Sequence, residues 1–443
     1  MRNAMLRLRV PLLALSPFLA IAAWPANAFA QEGQTDTGDT AWMLTSAALV
    51  LAMTPALAFF YGGLVRRKNI LSVLMQCFII ICIVTIQWVV IGYSLAFGPD
   101  IMGFVGGLAW LGLKGVGAAP NTDYAATIPH TVFVFYQCMF AVITPALILG
   151  AFAERMKFST FCMFMLIWAT VVYDPICHWV WAVGGFIRNL GALDFAGGTV
   201  VHINAGVAAL VCALVLGKRQ GYPGKISPPH NLPFAVLGAG FLWFGWFGFN
   251  AGSALGATGL AGSAFLATHV AAAAAGLTWA ILDWRINAHA TVLGMITGVV
   301  AGLVAITPAA GFVGPIDAIW IGIGAALACY FFVAVVKVKL GYDDSLDVFG
   351  VHGIGGMWGA LATGLWASTE INPAGANGLF YGNPGLVVNQ IVAVLATAIY
   401  SAVVTFVVLK VLDAVMGVRV GPEDERIGLD LTQHREAGYT QLD

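Results

Sequence analysis

Apolar stretches long enough to cross a membrane as helices recur along almost the whole chain. A transmembrane helix needs about 20 residues, and 60% of the 443 residues are hydrophobic while only 9% are charged. In soluble globular domains roughly a quarter of the residues are charged. The sequence therefore predicts an all-α integral membrane protein with eleven transmembrane helices. The predicted spans are 41–65, 70–97, 128–152, 158–178, 199–217, 232–254, 258–281, 289–308, 316–336, 346–367 and 386–412.

The first 30 residues have the pattern of a leader. Three arginines precede an apolar run over 10–24, and small residues at Ala28 and Ala30 follow in the pattern that signal peptidase cleaves. We therefore expect a cleaved signal peptide over 1–30. The alternative is a retained first transmembrane helix, which the shortness of the run and its prolines oppose. Cleavage leaves the mature N-terminus outside the cytoplasm.

The basic residues test this helix count independently. Of the fourteen lysines and arginines between residues 36 and 416, the eleven-span arrangement places all but Lys114 and Arg188 on one face of the membrane. Basic residues are enriched in cytoplasmic loops. We therefore expect a membrane domain over 31–416, a cytoplasmic C-terminal tail over 417–443, and a multi-pass location in the inner (plasma) membrane, in contact with lipid. The formal net charge of -1 gives no support for nucleic-acid binding.

Two histidines divide the chain into matching halves. His202 lies in the fifth predicted span and His352 in the tenth, and an aspartate precedes each of them, at Asp194 and Asp347. Because five is an odd number of spans, the second half is inverted relative to the first. Inverted repeats occur in many transporters, where the substrate path lies near the repeat interface. The sequence therefore predicts two inverted five-helix repeats followed by an eleventh helix.

The depth of these two histidines in the membrane indicates a function. An ionisable side chain at this depth is costly, and it usually lines a cavity, pairs with a partner or marks a path for a substrate or proton. His202 and His352 are therefore candidate pore residues whose rings could face one another, with a packing role as the alternative. A metal site is a further alternative, but the seven cysteines show no ligand-like pairing. No metal and no cofactor is predicted.

Aromatic residues form a second candidate group. Trp246, Phe249 and Ser253 are spaced i, i+3, i+7 and share one helix face, and Tyr136 and Phe140 share a face at i, i+4. Ring faces attract cations, and stacked rings can block a narrow pore. The alternative is ordinary packing in the core or against lipid.

Five segments carry longer motifs, which are "ALDFAGGTVVHINAG", "HNLPFAVLGAGFLWFGWFGFNAGSA", "AFAERMKF", "DVFGVHGIGG" and "VRVGPEDERIGLDLTQH". They resemble the signatures of the ammonium transporter family, Amt/Mep, which is related to the Rh proteins, and they indicate a bacterial member. The resemblance implies a homotrimer of eleven-helix protomers, each with a narrow and mainly apolar pore for ammonium or ammonia, and no enzymatic activity. It also implies a PII-type regulatory protein that docks on the cytoplasmic face and closes the pores.

The resemblance gives roles to individual residues. The twin pore histidines of the family fall on His202 and His352. The extracytoplasmic ammonium-recruitment site falls on Trp181, Phe140 and Ser253. Such a cup can replace part of the hydration of ammonium through cation–π contacts and a hydrogen bond.

Other aromatic positions of the family surround this path. The two stacked gate rings fall on Phe140 and Phe249. Trp246 and Tyr173 match aromatic positions that line or support the path. Tyr136 stands where members commonly have phenylalanine, which adds a hydroxyl at the vestibule.

Two carboxylates near this path have roles that the sequence leaves open. The family's acidic residue near the recruitment site falls on Asp194, which either caps the following helix or stabilises ammonium electrostatically without touching it. Asp174 stands where an apolar or small residue is expected.

The cost of moving a bare cation through an apolar channel suggests a mechanism. Ammonium would forfeit hydration worth many kcal/mol, so we expect deprotonation near the gate and passage of neutral ammonia past the histidines. Potassium has no proton to lose and meets the full barrier. An ammonium sensor is a second function class, which the short tail opposes because sensors often carry a signalling domain. An intramembrane metalloenzyme is a third, and it would need ligand clusters.

Overall fold

The computed structural model describes residues 34–224 and 228–439, and nearly all of their regular structure is helical. The predicted signal peptide lies outside the described residues. The α-helices are Thr37–Leu64, Ile70–Gln87, Tyr93–Phe97, His130–Phe152, Phe158–Trp168, Asp174–Trp181, Phe186–Leu190, Asn204–Leu216, Leu232–Ala251, Gly259–Asn287, Val292–Ile306, Pro315–Phe331, Lys337–Leu340, Ile354–Trp366, Gly385–Met416 and Pro422–Ile427. The π-helical turns are Trp88–Gly92, Ala169–Tyr173, Gly198–Ile203, Phe332–Val336, Phe349–Gly353 and Asp430–His434. The 3-10 turns are Arg67–Asn69, Leu108–Leu113, Gly252–Ala254 and Leu379–Tyr381, and the strands Asp100–Ile101 and Val105–Gly106 pair antiparallel.

Nine helical segments of the described chain are long and apolar enough to cross a membrane. They coincide with nine of the predicted spans, which confirms a multi-span helical membrane protein. Shorter helices occupy the two other predicted spans. Val292–Ile306 has 15 residues, and Ile354–Trp366 has 13 and continues the π-helical turn before it. Helix length alone therefore gives nine spans among the described residues, not eleven.

Two π-helical turns contain the candidate histidines. His202 lies in Gly198–Ile203 and His352 in Phe349–Gly353, and a 13-residue α-helix follows each turn directly. We call the two continuous helices, 198–216 and 349–366, the His202 helix and the His352 helix. Single π turns occur frequently at functional sites. The same local geometry therefore presents both histidines.

Close packing through small residues holds the helices together. A Cβ atom placed on Gly238 would lie 2.3 Å from the backbone nitrogen of Phe60, so the helix Leu232–Ala251 touches the backbone of Thr37–Leu64 there. Lipid tails are as apolar as the helices, and van der Waals packing of this kind supplies the association energy in a membrane.

The C-terminal tail packs against one end of the helices. Asp430 accepts the backbone N–H of Ser72 at 2.8 Å, and the N–H of Leu429 donates to Asn69 Oδ1 at 2.8 Å. We call this end of the molecule the tail face, and the opposite end, which carries the strand pair, the loop face. The helix His130–Phe152 runs from the loop face to the tail face.

Candidate functional site

The two histidine helices cross where each has a glycine. A Cβ atom on Gly206 would lie 2.2 Å from the backbone nitrogen of Gly353, and one on Gly356 would lie 3.0 Å from the Cβ of His202. No side chain fits at Gly206 unless a backbone moves. The crossing therefore brings the two π-helical turns together.

The rings of His202 and His352 lie side by side at this crossing. Their Nδ1 atoms are 3.3 Å apart, their centroids are 5.3 Å apart, and both side chains are buried. A hydrogen bond between two Nδ1 atoms needs one donor and one acceptor, so one proton lies between the neutral rings. Nε2 of His202 is buried without a partner among the described residues. That nitrogen is available to a small polar molecule.

Two phenylalanine rings close the space next to the histidines. The centroids of Phe140 and Phe249 are 4.2 Å apart with an interplanar angle of 34°, and each residue is 1% exposed. Phe140 also meets Trp181 edge-on at 5.6 Å, and Phe249 lies 6.0 Å from the ring of His202. The aromatic rings thus form a continuous series from Trp181 to the histidine pair.

The hydroxyl of Tyr136 supports this ring pair from the side. It lies 2.9 Å from the carbonyl of Phe249, 3.0 Å from that of Gly248 and 3.2 Å from Ser253 Oγ. The Ser253 hydroxyl donates to the Phe249 carbonyl at 2.9 Å. Because its proton is used there, Ser253 Oγ offers lone pairs to a donor in the space beside it.

Hydrogen bonds fix the two tryptophans of the candidate site. The Trp181 indole donates to the carbonyl of Asp194 at 3.0 Å, and Arg188 Nη1 donates to the Trp181 carbonyl at 2.7 Å. The Trp246 indole donates to Thr307 Oγ1 at 2.9 Å and its ring stacks on His202 at 5.5 Å. Each indole ring is therefore held in a fixed orientation by its own hydrogen bond.

The carboxylate of Asp194 caps the start of the His202 helix. It accepts the backbone N–H groups of Gly197 at 2.7 Å, Gly198 at 2.6 Å and Thr199 at 2.8 Å, and the Thr199 hydroxyl also donates to it. Free N–H groups at a helix N-terminus need such acceptors. The capping geometry is present, and both carboxylate oxygens are engaged in it.

The ring of Tyr173 does not belong to the series that runs from Trp181 to the histidine pair. It is fully buried and packs against Trp88 at 6.4 Å. Its neighbour Asp174 is also buried and accepts a hydrogen bond from Gln87 Nε2 at 2.7 Å. Both Gln87 and Asp174 adjoin π-helical turns. This contact satisfies one carboxylate oxygen of Asp174, and the other, Oδ1, is buried without a partner among the described residues.

Three cavities follow one another along the series of rings. The first, of about 200 Å³, is lined by Trp181 and Phe140 and lies at the loop face. The second is a gap of about 10 Å³ between Phe249 and His202, close to the smallest space that holds one water molecule. The third, of about 180 Å³, reaches from His352 to the tail face. We call these the loop-face cavity, the central gap and the tail-face cavity.

Charged side chains line the tail-face cavity, and sequence reasoning did not single them out. Glu154 pairs with Arg66 at 2.9 Å and with Arg219 at 3.4 Å, and Arg219 also pairs with Asp343 at 2.8 Å. Burial works to raise the pKa of the Glu154 carboxyl, but the two guanidinium groups outweigh it and hold that pKa below its usual value. Glu154 stands in the motif "AFAERMKF", which was visible, whereas its partners are distant in sequence.

The fold and this series of cavities define a class of protein, a multi-span helical membrane protein with a row of internal cavities along a series of aromatic rings. Across 34–224 and 228–439, no three histidine, cysteine or acidic side chains come together as a metal site requires.

Comparison with known proteins identifies the family. Residues 41–439 match the model of the Ammonium Transporter Family. The chain is 54% identical over 402 residues to the ammonium transporter of Bacillus subtilis (strain 168), covering 91% of this chain and 98% of that protein. It is 50% identical over 426 residues to the ammonium transporter of Aquifex aeolicus (strain VF5), covering 95% and 98%. The chain belongs to the ammonium transporter family, and it is a transporter, not an enzyme.

Solved structures share the fold. The crystal structure of Candida albicans Mep2 matches with a TM-score of 0.83 at 38% identity and covers 88% of each chain. A structure described as a sensor Amt protein matches with a TM-score of 0.83 at 28% identity and covers 90% of this chain and 98% of that one. The family resemblance seen in the sequence is thereby confirmed.

Proposed function

We propose that each protomer recruits ammonium in the loop-face cavity and passes ammonia between His202 and His352 to the tail face. Ammonium gives up a proton near the Phe140–Phe249 pair, and that proton goes either to solvent on the loop-face side or to the histidine pair. The observation that supports this most directly is the central gap of about 10 Å³. It has room for one molecule of the size of water or ammonia and none for a hydrated ion.

The loop-face cavity has the chemistry to hold ammonium. Phe140 and Trp181 present aromatic faces, which attract cations by about 0.5–2 kcal/mol each. Ser253 Oγ lines the same cavity and accepts an N–H, because its own proton is donated to a carbonyl. These groups replace part of the hydration that the ion gives up.

The central gap favours the neutral molecule. Of the side chains that line it, His202 and His352 are polar at ring nitrogens, Trp246 at its bonded indole, and the others are apolar. A bare cation there would lose its hydration without an opposite charge, at a cost of many kcal/mol. Neutral ammonia loses far less hydration free energy in the gap. Nε2 of His202, which has no partner among the described residues, can hydrogen-bond to it. Potassium cannot become neutral and is excluded.

We propose eleven spans arranged as two inverted five-helix repeats plus one helix, with the loop face outside and the tail face in the cytoplasm of an inner-membrane protein. The shared π turn and 13-residue helix of the two histidine segments support the repeat. In this arrangement Val292–Ile306 and the His352 helix are the two short spans. Accessibility labelling of single cysteines at each face tests the orientation.

We propose that the protein is a homotrimer. His269 lies in the middle of the helix Gly259–Asn287, is exposed on the protomer and stacks on Trp243 at 5.2 Å. A titratable ring that faces lipid at this depth is costly, and a second copy covering it removes the cost. Native mass spectrometry should give a mass of three chains, and a monomer would contradict the proposal.

We also propose that a PII-type regulatory protein docks on the tail face and blocks the tail-face cavity. The ion-paired loops around Glu154 give this face a fixed shape. Interferometry with a purified PII protein, with and without nucleotide, tests this, and the absence of binding in every condition would contradict it.

Current after an ammonium jump on a solid-supported membrane tests the proposed transport, with potassium as the ion control. We expect an ammonium-specific response that the double variant His202→Ala, His352→Ala loses or makes unselective. His289→Ala is the matched control, because His289 is exposed and outside the cavities. Internal alkalinisation without current would mean that ammonia moves alone. A double variant with unaltered flux and intact potassium exclusion would remove the histidines from the mechanism.

A further inference from the structure

Two side chains of opposite charge line the loop-face cavity, and the mechanism proposed above uses neither. Asp123 and Arg188 share this cavity with Phe140, Trp181 and Ser253. Both are exposed, and neither forms an ion pair with another residue of the described chain. Their charges can therefore act on an ion inside the cavity.

Asp194 does not supply this charge at the cavity wall. It is not among the residues that line the cavity. Its oxygens accept the N–H groups of Gly197, Gly198 and Thr199, so the positive end of the His202 helix lies against the carboxylate and offsets its field. Among the residues lining the cavity, Asp123 is the acidic one.

The loop around Asp123 is held in place by its own hydrogen bonds. The N–H of Asp123 donates to Asn121 Oδ1 at 3.1 Å, and Asn121 pairs with Ala125 in a short antiparallel bridge. The next residue, Tyr124, donates its hydroxyl proton to the Phe97 carbonyl at 2.8 Å. The carboxylate is thus carried by an anchored loop at the cavity wall.

Arg188 is tied to the recruitment site itself. Its Nη1 donates to the Trp181 carbonyl at 2.7 Å, at the C-terminal end of the helix Asp174–Trp181. A cation is favourable next to that end of a helix, but it repels a second cation in the same cavity. A fixed positive charge beside a cation-recruiting aromatic cup is unexpected for recruitment alone.

We propose that Asp123 and Arg188 form an opposed pair of charges that sets the affinity of the loop-face cavity for small monovalent cations. Asp123 raises the local concentration of ammonium, and Arg188 lowers it. This rests on the proposed function of the cavity. Partly enclosed clefts focus the field of the charges at their walls. Because the gate lies beyond the cavity, the pair acts on KM and leaves the maximal rate unchanged.

The test measures KM and maximal rate for ammonium in proteoliposomes at low ionic strength. Asp123→Asn should raise KM about three- to tenfold, and Arg188→Gln should lower it by a similar factor. The double variant should return to within about twofold of the wild-type value, since the two charges cancel. In about 0.5 M salt all three differences should shrink, because the Debye length falls well below 10 Å. Glu370→Gln, an exposed carboxylate that does not line the cavity, is the control and should leave KM unchanged.

The outcomes separate this proposal from the one it rests on. Equal KM values for the wild type and both single variants at low salt would overturn the charge pair while leaving transport intact. A rise of KM in Arg188→Gln would also overturn it and would show that Arg188 acts by holding Trp181. A wild-type protein without any saturable ammonium flux would instead refute the proposed function.

Discussion

Removing the Asp194 side chain gives a sharp test of how the His202 helix is built. In Asp194→Ala, the N–H groups of Gly197, Gly198 and Thr199 lose acceptors at 2.7, 2.6 and 2.8 Å, and all three residues are buried. A buried donor without a partner costs about 1–3 kcal/mol, so three of them cost at least about 3 kcal/mol. We expect a large fall in Tm, with poor recovery of folded protein.

The comparison with Asp194→Asn distinguishes the two roles left open for this residue. Asparagine keeps one acceptor oxygen, which can still serve Gly197 and Gly198, but it removes the charge. If capping dominates, its Tm lies between the wild type and Asp194→Ala, and transport per folded molecule in liposomes stays within a few-fold of wild type. Thermal unfolding in detergent and ammonium flux are measured on the same preparations. An alanine variant with the wild-type Tm and no transport would refute the capping argument and support a direct electrostatic role.

Three further predictions concern other contacts of the site and of the tail-face cavity. Gly206→Ala, whose Cβ would lie 2.2 Å from the facing backbone, should separate the histidine rings and lower flux at least about tenfold; Gly240→Ala, which faces open space, should leave flux unchanged. Tyr136→Phe removes a hydroxyl bonded to the Phe249 carbonyl at 2.9 Å and should cost about 0.5–1.5 kcal/mol in stability, with transport retained and the loss visible as a lower Tm. Burial works to raise the pKa of the Glu154 carboxyl, but Arg66 and Arg219 hold that pKa below its ordinary value of 4.5. The ionised carboxylate therefore stabilises the fold fully above pH 4.5, and this stabilisation is lost as the pH falls through the lowered pKa. Melting curves from pH 7 to pH 3 should therefore fall less steeply for Glu154→Gln than for wild type, and parallel curves would contradict this.

Periodicity and hydropathy were sufficient to predict the class and nine of the spans. They could not fix the count, because Val292–Ile306 is only 15 residues long and the His352 helix is rich in glycine. The position of His202 and His352 in matched segments indicated that they belong together. Their spacing of 3.3 Å depends on Gly206 meeting Gly353, a contact between residues far apart in sequence. Periodicity within one helix carries no information about such a contact.

Side chains whose roles depend on loops were the least predictable. Asp194 was correctly placed before a helix, but its three N–H partners follow from the bend at Gly197, which has a left-handed φ of 111°. Tyr173 matched an aromatic position of the family. In the structure Tyr173 ends the π-helical turn Ala169–Tyr173, and its ring packs against Trp88 and lines none of the three cavities. Asp123 lies in a long loop without a periodic pattern, so its place at the cavity wall could be found only from the structure.

The distribution of charge along the cavities restricts where a proton can leave and return. Asp123 and Arg188 line the loop-face cavity, and Glu154 with its two arginines lines the tail-face cavity, whereas no acidic or basic group other than the histidines lines the central gap. A cation is therefore tolerated at either end and is costly between them. In the proposed mechanism the proton must then be lost before the gap and regained after it, or be carried past it by the hydrogen-bonded histidine pair. Only the second route moves net charge, which is why current and internal pH have to be recorded on the same variants.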